Sequence, residues 1–196
     1  MKFHLLLGAV ILSLPAMALE TWEQVKHNSA VTVYTKDTPG HPYKSFKAVG
    51  IVQTTPQVLL EILEDVSSYP RWFAYSNSVR LLKSEANKKY VYMETDFPWP
   101  FKNEDMTYLL SVTEYGDGGK KLVLDGMPDY IPAVDGIMRM RAANGYILLQ
   151  PAEGGTVVTY VMHTDLSGDI PSWLANKYVH LMPFQTISNL KNIAER

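Results

Sequence analysis

The chain has 196 residues, with 18 Lys and Arg against 20 Asp and Glu, and no cysteine. That balance offers no basic stripe for a nucleic acid, and the missing thiols exclude disulfides, thiol catalysis and acylation of a cysteine. Twelve Tyr, nine Met and four Trp supply adaptable and amphipathic side chains, which suit the wall of an apolar pocket and an ordinary core alike.

Met1-Lys2-Phe3-His4 is a short positive start, Leu5 to Leu14 is almost wholly apolar, and Pro15-Ala16-Met17-Ala18 is a small-x-small cleavage site. Residues 1–18 therefore read as a secretory signal peptide cut after Ala18, which predicts an exported, periplasmic protein. The rival reading is an uncleaved anchor or a buried N-terminal helix. The apolar stretch is shorter than the roughly 18 to 20 residues a membrane-spanning helix needs. The remainder, residues 19–196, has 196 − 18 = 178 residues, enough for one domain with its own core.

Val31 to Thr35 and Tyr43 to Val52 read as strands separated by a turn at Pro39-Gly40. Thr55 then caps a helix that starts at Pro56 and carries Val58, Leu59, Ile62, Leu63 and Val66 on one stripe; Ser67-Ser68-Tyr69-Pro70 ends it. A strand-rich middle follows: Val79 to Ser84, Tyr90 to Phe97, Met106 to Tyr115, Lys121 to Asp125, Gly136 to Leu149 and Thr156 to Leu166. Turn chemistry at Ala86-Asn87-Lys88, Gly116 to Gly119 and Glu153-Gly154-Gly155 marks hairpins. The segment from Ile170 to the end repeats apolar residues at spacings of three and four, which predicts an amphipathic terminal helix. Pro171 suits its first position, whereas Pro183 falls inside the pattern and should kink it. Periodicity alone favours plain core packing for this helix. A kinked lid, gated by Ile170, Pro171 and Pro183, is the functional alternative.

Strands followed by a closing helix, without βαβ alternation, predict an α+β fold in which a curved antiparallel β-sheet wraps around the long C-terminal α-helix. Alternation turns Met138 and Met140 to one face, read as inward, and Arg139 to the other. Val158, Tyr160 and Met162 also share a face, which pattern alone does not assign to the core. The cavity-wall candidates are Trp72, Phe73, Trp99, Tyr108, Met138, Met140, Trp173, Tyr178 and Met182, each equally at home in a core.

Glu94 and Asp96 stand at i and i+2 and face one way, which could resemble an acid–base pair; an exposed edge is the favoured reading. Arg139 has two readings, a headgroup contact at the cavity end or, preferred, a structural pair with Glu94 or Asp96. His27, His41, His163 and His180 lack a ligand spacing, so no metal is expected. Nucleotide cradles, Rossmann fingerprints and hydrolase elbows find no support in the glycine pattern, and no cofactor is expected.

Several segments, in order, resemble the START (steroidogenic acute regulatory protein-related lipid transfer) domain: Val33-Tyr34, Phe46-Lys47-Ala48, Asp65 with Trp72, and Phe97-Pro98-Trp99-Pro100 with Glu104-Asp105. Arg139 with Gly145, Tyr146 and Pro151, and the run Asp165 to Leu174, complete the set; Gly168-Asp169-Ile170-Pro171-Ser172-Trp173-Leu174 is its most specific part. The resemblance implies the helix-grip (START/Bet v 1-like) fold, an internal cavity between sheet and helix, and one lipid held there without catalysis. The sterol-type ion pair does not carry over, because Glu94 matches the acidic position but Leu110 stands near the place of its Arg. The expected partners are a lipid or other hydrophobic small molecule and, transiently, a membrane, with no nucleic acid and a monomeric state. The alternative is an enzyme, cyclase or hydrolase-like, acting on a hydrophobic substrate in the same cavity; a third is a domain with a filled interior.

Overall fold

The computed structural model describes residues 21–196, so the signal-peptide reading of residues 1–18 lies outside the described residues. Three strands open the fold: β1 (Glu23–His27), β2 (Val31–Lys36) and β3 (Ser45–Val52). A helical excursion follows, made of α1 (Pro56–Glu64), a single 3-10 turn (Val66–Ser68) and α2 (Tyr69–Trp72). It carries the chain to the opposite edge of the sheet. From there β4 (Ser76–Glu85), β5 (Lys88–Thr95), β6 (Glu104–Tyr115) and β7 (Gly119–Gly126) walk back as hairpins. After a loop and the two-residue β8 (Met138–Arg139), β9 (Ala142–Ala152) and β10 (Gly155–Asp165) fill the gap beside β3. The sheet runs β1-β2-β3-β10-β9-β7-β6-β5-β4 with antiparallel neighbours, and β8 pairs parallel with β6.

The inner face follows from the period of two. Val31 and Val33, Phe46 and Ala48, Met106 and Tyr108, Ile147 and Leu149, and Val158, Tyr160 and Met162 are all buried in one cluster. α3 (Ser172–Tyr178) and α4 (Leu181–Ala194) complete the chain, and α4 sets Ile187 and Leu190 into that cluster. Gly50 makes the seat for α4: a Cβ there would stand 2.8 Å from Ile187 Cγ2 and 3.0 Å from the Ala30 carbonyl oxygen.

Four expectations change. The terminal helix is broken into two, with the break at Val179–His180. Pro183 is the third residue of α4, where its missing N–H is harmless, while its ring would clash with the carbonyl of Val179 were the helix continuous. Pro171 is the N-cap of α3 and precedes its first turn. Ser67 to Pro70 continues as a 3-10 turn and a second short helix, since proline is tolerated in a first turn. The run read as one strand from Gly136 divides into β8 and β9, because Arg141 N–H turns to the Asp165 carbonyl.

Candidate functional site

The interior bounded by β3, β10, β9, β6 and the helices is lined by aromatic and methionine side chains. α2 presents Tyr69 and Trp72, whose rings pack edge to face with centroids 4.8 Å apart. Their polar ends have partners: Tyr69 Oη donates to the Leu63 carbonyl at 2.6 Å and Trp72 Nε1 to Ser68 Oγ at 2.9 Å. Phe73 bridges this wall to the sheet, 6.0 Å from Tyr69 and 6.2 Å from Tyr160. Tyr160 in turn meets Phe46 edge to face at 5.0 Å. Met93, Met106, Met140 and Met162 are buried in the same cluster, with Met182 of α4 packed against it.

Of the nine candidate wall residues, Trp72, Tyr108 and Met140 are buried in the inner cluster, and Phe73 and Met182 pack on it half-buried. Met138 is half-buried in β8. Trp99, Trp173 and Tyr178 are corrected: they are 90 %, 69 % and 45 % exposed, respectively. Trp99 sits on the turn from Pro98 to Phe101, which projects from the sheet, and the other two lie on α3, a helix with no buried residue. Their apolar character alone could not reveal that they face solvent.

The polar candidates also sort by geometry. Glu94 and Asp96 are gathered by one side chain, Asn103, whose Nδ2 lies 2.8 Å from Glu94 Oε1 and 2.9 Å from Asp96 Oδ1. Asn77 adds a second bond to Glu94. Both carboxylates thus brace the turn around Trp99 and do not face the interior. Arg139 pairs with neither, a further correction. Its guanidinium grips Asp105, with Nε 2.5 Å from Oδ1 and Nη2 3.3 Å from Oδ2, and donates to the carbonyls of Pro128, Ile131 and Pro132. Arg139 therefore straps the 127–137 loop over the outer face of β5 and β6, where Tyr130 stacks on Tyr90. The buried Asp105 beside it helps push the Tyr92 hydroxyl, already raised by burial, up to about 12.

Two features at one end of the interior escaped sequence reasoning. Glu104, fully buried on the inner face of β6, accepts from Ser167 N–H at 3.0 Å and Ser167 Oγ at 2.7 Å. Burial nevertheless holds its carboxyl above the ordinary value, with Asp169 adding to the rise and Arg141 opposing it. Beside it, Tyr43 Oη donates to the Ile170 carbonyl at 3.1 Å. These two contacts tie down the segment 167–170 that leads to Pro171 and α3. Asn176 adds a tether within α3, accepting from Lys44 N–H at 2.8 Å and donating to the Pro42 carbonyl at 2.9 Å.

Two hollows accompany this packing. One of about 10 Å³ lies among Leu63, Leu110, Val112 and Leu122, and an open groove of about 310 Å³ lies along Glu64 to Ser67, Val79 and Leu81. Neither touches α3 or α4.

The START domain family matches residues 8–194. This chain belongs to the START domain family. It is 32 % identical over 192 residues to Uncharacterized protein PA1579 of Pseudomonas aeruginosa, covering 97 % of this chain and 95 % of that protein. The crystal structure of the STAR-related lipid transfer protein (fragment 25-204) from Xanthomonas axonopodis superposes with a TM-score of 0.84 at 30 % identity, over 89 % of this chain and 99 % of that one. The Zhui aromatase/cyclase from Streptomyces shares the fold with a TM-score of 0.54 at 13 % identity, over 78 % of this chain and 93 % of that one. The START helix grip is here a curved sheet of ten strands, antiparallel but for the short β8, closed by the C-terminal helices.

Proposed function

We propose that this START domain binds one hydrophobic lipid between the curved sheet and α3–α4 and transfers it between membranes. The observation that carries the reading is the correspondence, at 30 % identity, with nearly the whole of the solved fragment 25-204 of a STAR-related lipid transfer protein. Burial of the ligand's carbon would drive binding at about 25 cal/mol per Å² of apolar surface removed from water. The interior suits such a guest because its wall is rich in methionine, which changes rotamer to fit irregular shapes. Admission of a lipid requires α3 to move, and α3 has no buried side chain and is held in part by polar tethers.

The exposed aromatics support transient membrane contact. The turn carrying Trp99 and the segment carrying Trp173 leave the same end of the sheet, where Ser167 meets Glu104. Indole rings favour the membrane–water interface, and two of them beside the opening would hold the protein against a bilayer while lipid passes. Export to the periplasm rests on the Met1 to Ala18 signal reading, and predicts that the mature protein starts at Leu19 by intact mass.

A carrier without chemistry of its own is preferred to a cyclase-like enzyme. The likeness to the aromatase/cyclase is one of fold, and the carboxylate pair Glu94 and Asp96 is engaged by Asn103 on the outer side. Delipidated protein incubated with a bacterial lipid extract should retain one lipid by native mass spectrometry. Empty protein with its fold intact would overturn the proposal.

A further inference from the structure

Among the described residues, four buried side-chain polar atoms have no hydrogen-bond partner: Thr107 Oγ1, His163 Nε2, Asp165 Oδ1 and Tyr160 Oη. Strand alternation puts the first three on the outer face. Thr107 is flanked by the inward Met106 and Tyr108, and His163 and Asp165 follow the inward Met162 on β10. Tyr160 alone of the four belongs to the inner cluster, with 1 % exposure. Two aromatic groups of the same wall are satisfied, since the hydroxyl of Tyr69 and the indole N–H of Trp72 both donate to nearby oxygens.

An orphaned hydroxyl in an apolar interior is costly, because it has lost water and gained nothing. An unneeded hydroxyl is easily avoided, since phenylalanine would fill the same space. We propose that Tyr160 Oη is the specificity-determining donor of the lipid site and that it donates to a neutral oxygen of an otherwise apolar ligand, a hydroxyl, ketone or ester carbonyl. The inference rests on the reading of this interior as a lipid site and narrows its ligand class.

Neutrality follows from the surroundings. The groups that act on Tyr160 are burial itself and the tyrosines Tyr108 and Tyr69, and all of them disfavour a charged phenolate. Among the described residues no cation is one of the groups that act on it, so a carboxylate or phosphate placed there would be buried without a counter-charge, which costs far more than a hydrogen bond returns. A neutral oxygen meets the donor and brings no such penalty.

The test uses hexadecan-1-ol, hexadecane and hexadecanoate, each supplied from cyclodextrin to delipidated protein, with bound ligand measured by gas chromatography after repurification. Wild type should retain the alcohol about tenfold over the alkane, the discrimination expected of one buried hydrogen bond, and over the carboxylate as well. Tyr160→Phe should bring alcohol and alkane to within about twofold of each other. Equal retention of alcohol and alkane by wild type, preference for the carboxylate, or a tenfold ratio surviving in the variant would each overturn the proposal. Urea unfolding of the ligand-free pair supplies a second reading. Tyr160→Phe should be at least as stable as wild type, and a loss of stability would reveal a structural bond and overturn the assignment. Retention of none of the three by wild type would count instead against the lipid site itself.

Discussion

Glu104 and Asp105 are adjacent residues turned to opposite faces with contrasting surroundings, and burial raises the pKa of Glu104. Asp105 meets the Arg139 guanidinium, which also satisfies three carbonyls, so that buried pair is compensated on both sides. Glu104 has only the N–H and hydroxyl of Ser167, and burial wins. A carboxyl whose pKa is higher folded than unfolded binds more protons in the folded state between the two values, so stability falls as pH rises through that window. Its lower edge is the ordinary carboxyl value of 4.5. Glu104→Gln has no proton to exchange. Urea unfolding at a series of pH values should therefore show the difference between variant and wild type shifting in the variant's favour as pH rises above that edge; a difference flat in pH would contradict the burial argument. Neither residue's partner was legible in the sequence. Arg139 could be turned away from the methionine face by alternation, but Asp105 reaches it through a parallel bridge between β6 and β8, and no local spacing announces that bridge. Tyr160 could be grouped with Val158 and Met162, while the choice of face waited on the helices that cover it.

At the scale of elements, the break between α3 and α4 is the feature on which lipid exchange should depend. Pro183 enforces it, because an alanine there would supply the N–H that a continuous helix needs at Val179 and would remove the clashing ring. Pro183→Ala should join the two helices, raise helicity by circular dichroism and slow lipid exchange between vesicles, as the joined helix can no longer bend at His180. Unchanged exchange kinetics alongside the gain in helicity would remove Pro183 from the gate. Proline made this break partly legible from sequence, whereas other boundaries were hidden by tertiary bonds. β1 carries four exposed residues among five and so lacks the alternation that marks a half-buried strand. β3, β6, β9 and β10 were legible because each packs one face on the core and leaves the other more open, which writes a period of two into the sequence. α3 looked amphipathic because Trp173, Leu174 and Tyr178 follow helical spacing, yet two of these three side chains meet solvent.

Across the whole molecule, packing is uneven in a way that suits a carrier. The pairing of β3, β10 and β9 forms a continuous central ladder with inner residues fully covered, and α4 is seated on β3 at Gly50. α3 is held by the half-buried Ala175 against the core and by a few polar tethers, Asn176 to the 42–44 loop, with Tyr43 to Ile170 and Glu104 to Ser167 just before it. Tethers of that kind open with far less free energy than a packed ladder, because opening exposes little apolar surface. Hydrogen exchange should therefore find the α3 amides exchanging by local opening, nearly independent of low urea concentrations, while β9 and β10 exchange only with global unfolding. A lipid bound beneath α3 must be released before that helix opens, so loading should slow α3 exchange by the same mass-action factor that slows the sheet. At a free ligand concentration of about 100 times Kd the global term is about 2.7 kcal/mol, and it bears on every amide that needs full unfolding. Protection of α3 and the 166–171 segment by that full term, although they open locally in the ligand-free protein, would mark them as the lid. Equal protection of α3 and the central strands in the ligand-free protein would mean that α3 opens only when everything does, and the way in would then have to lie elsewhere.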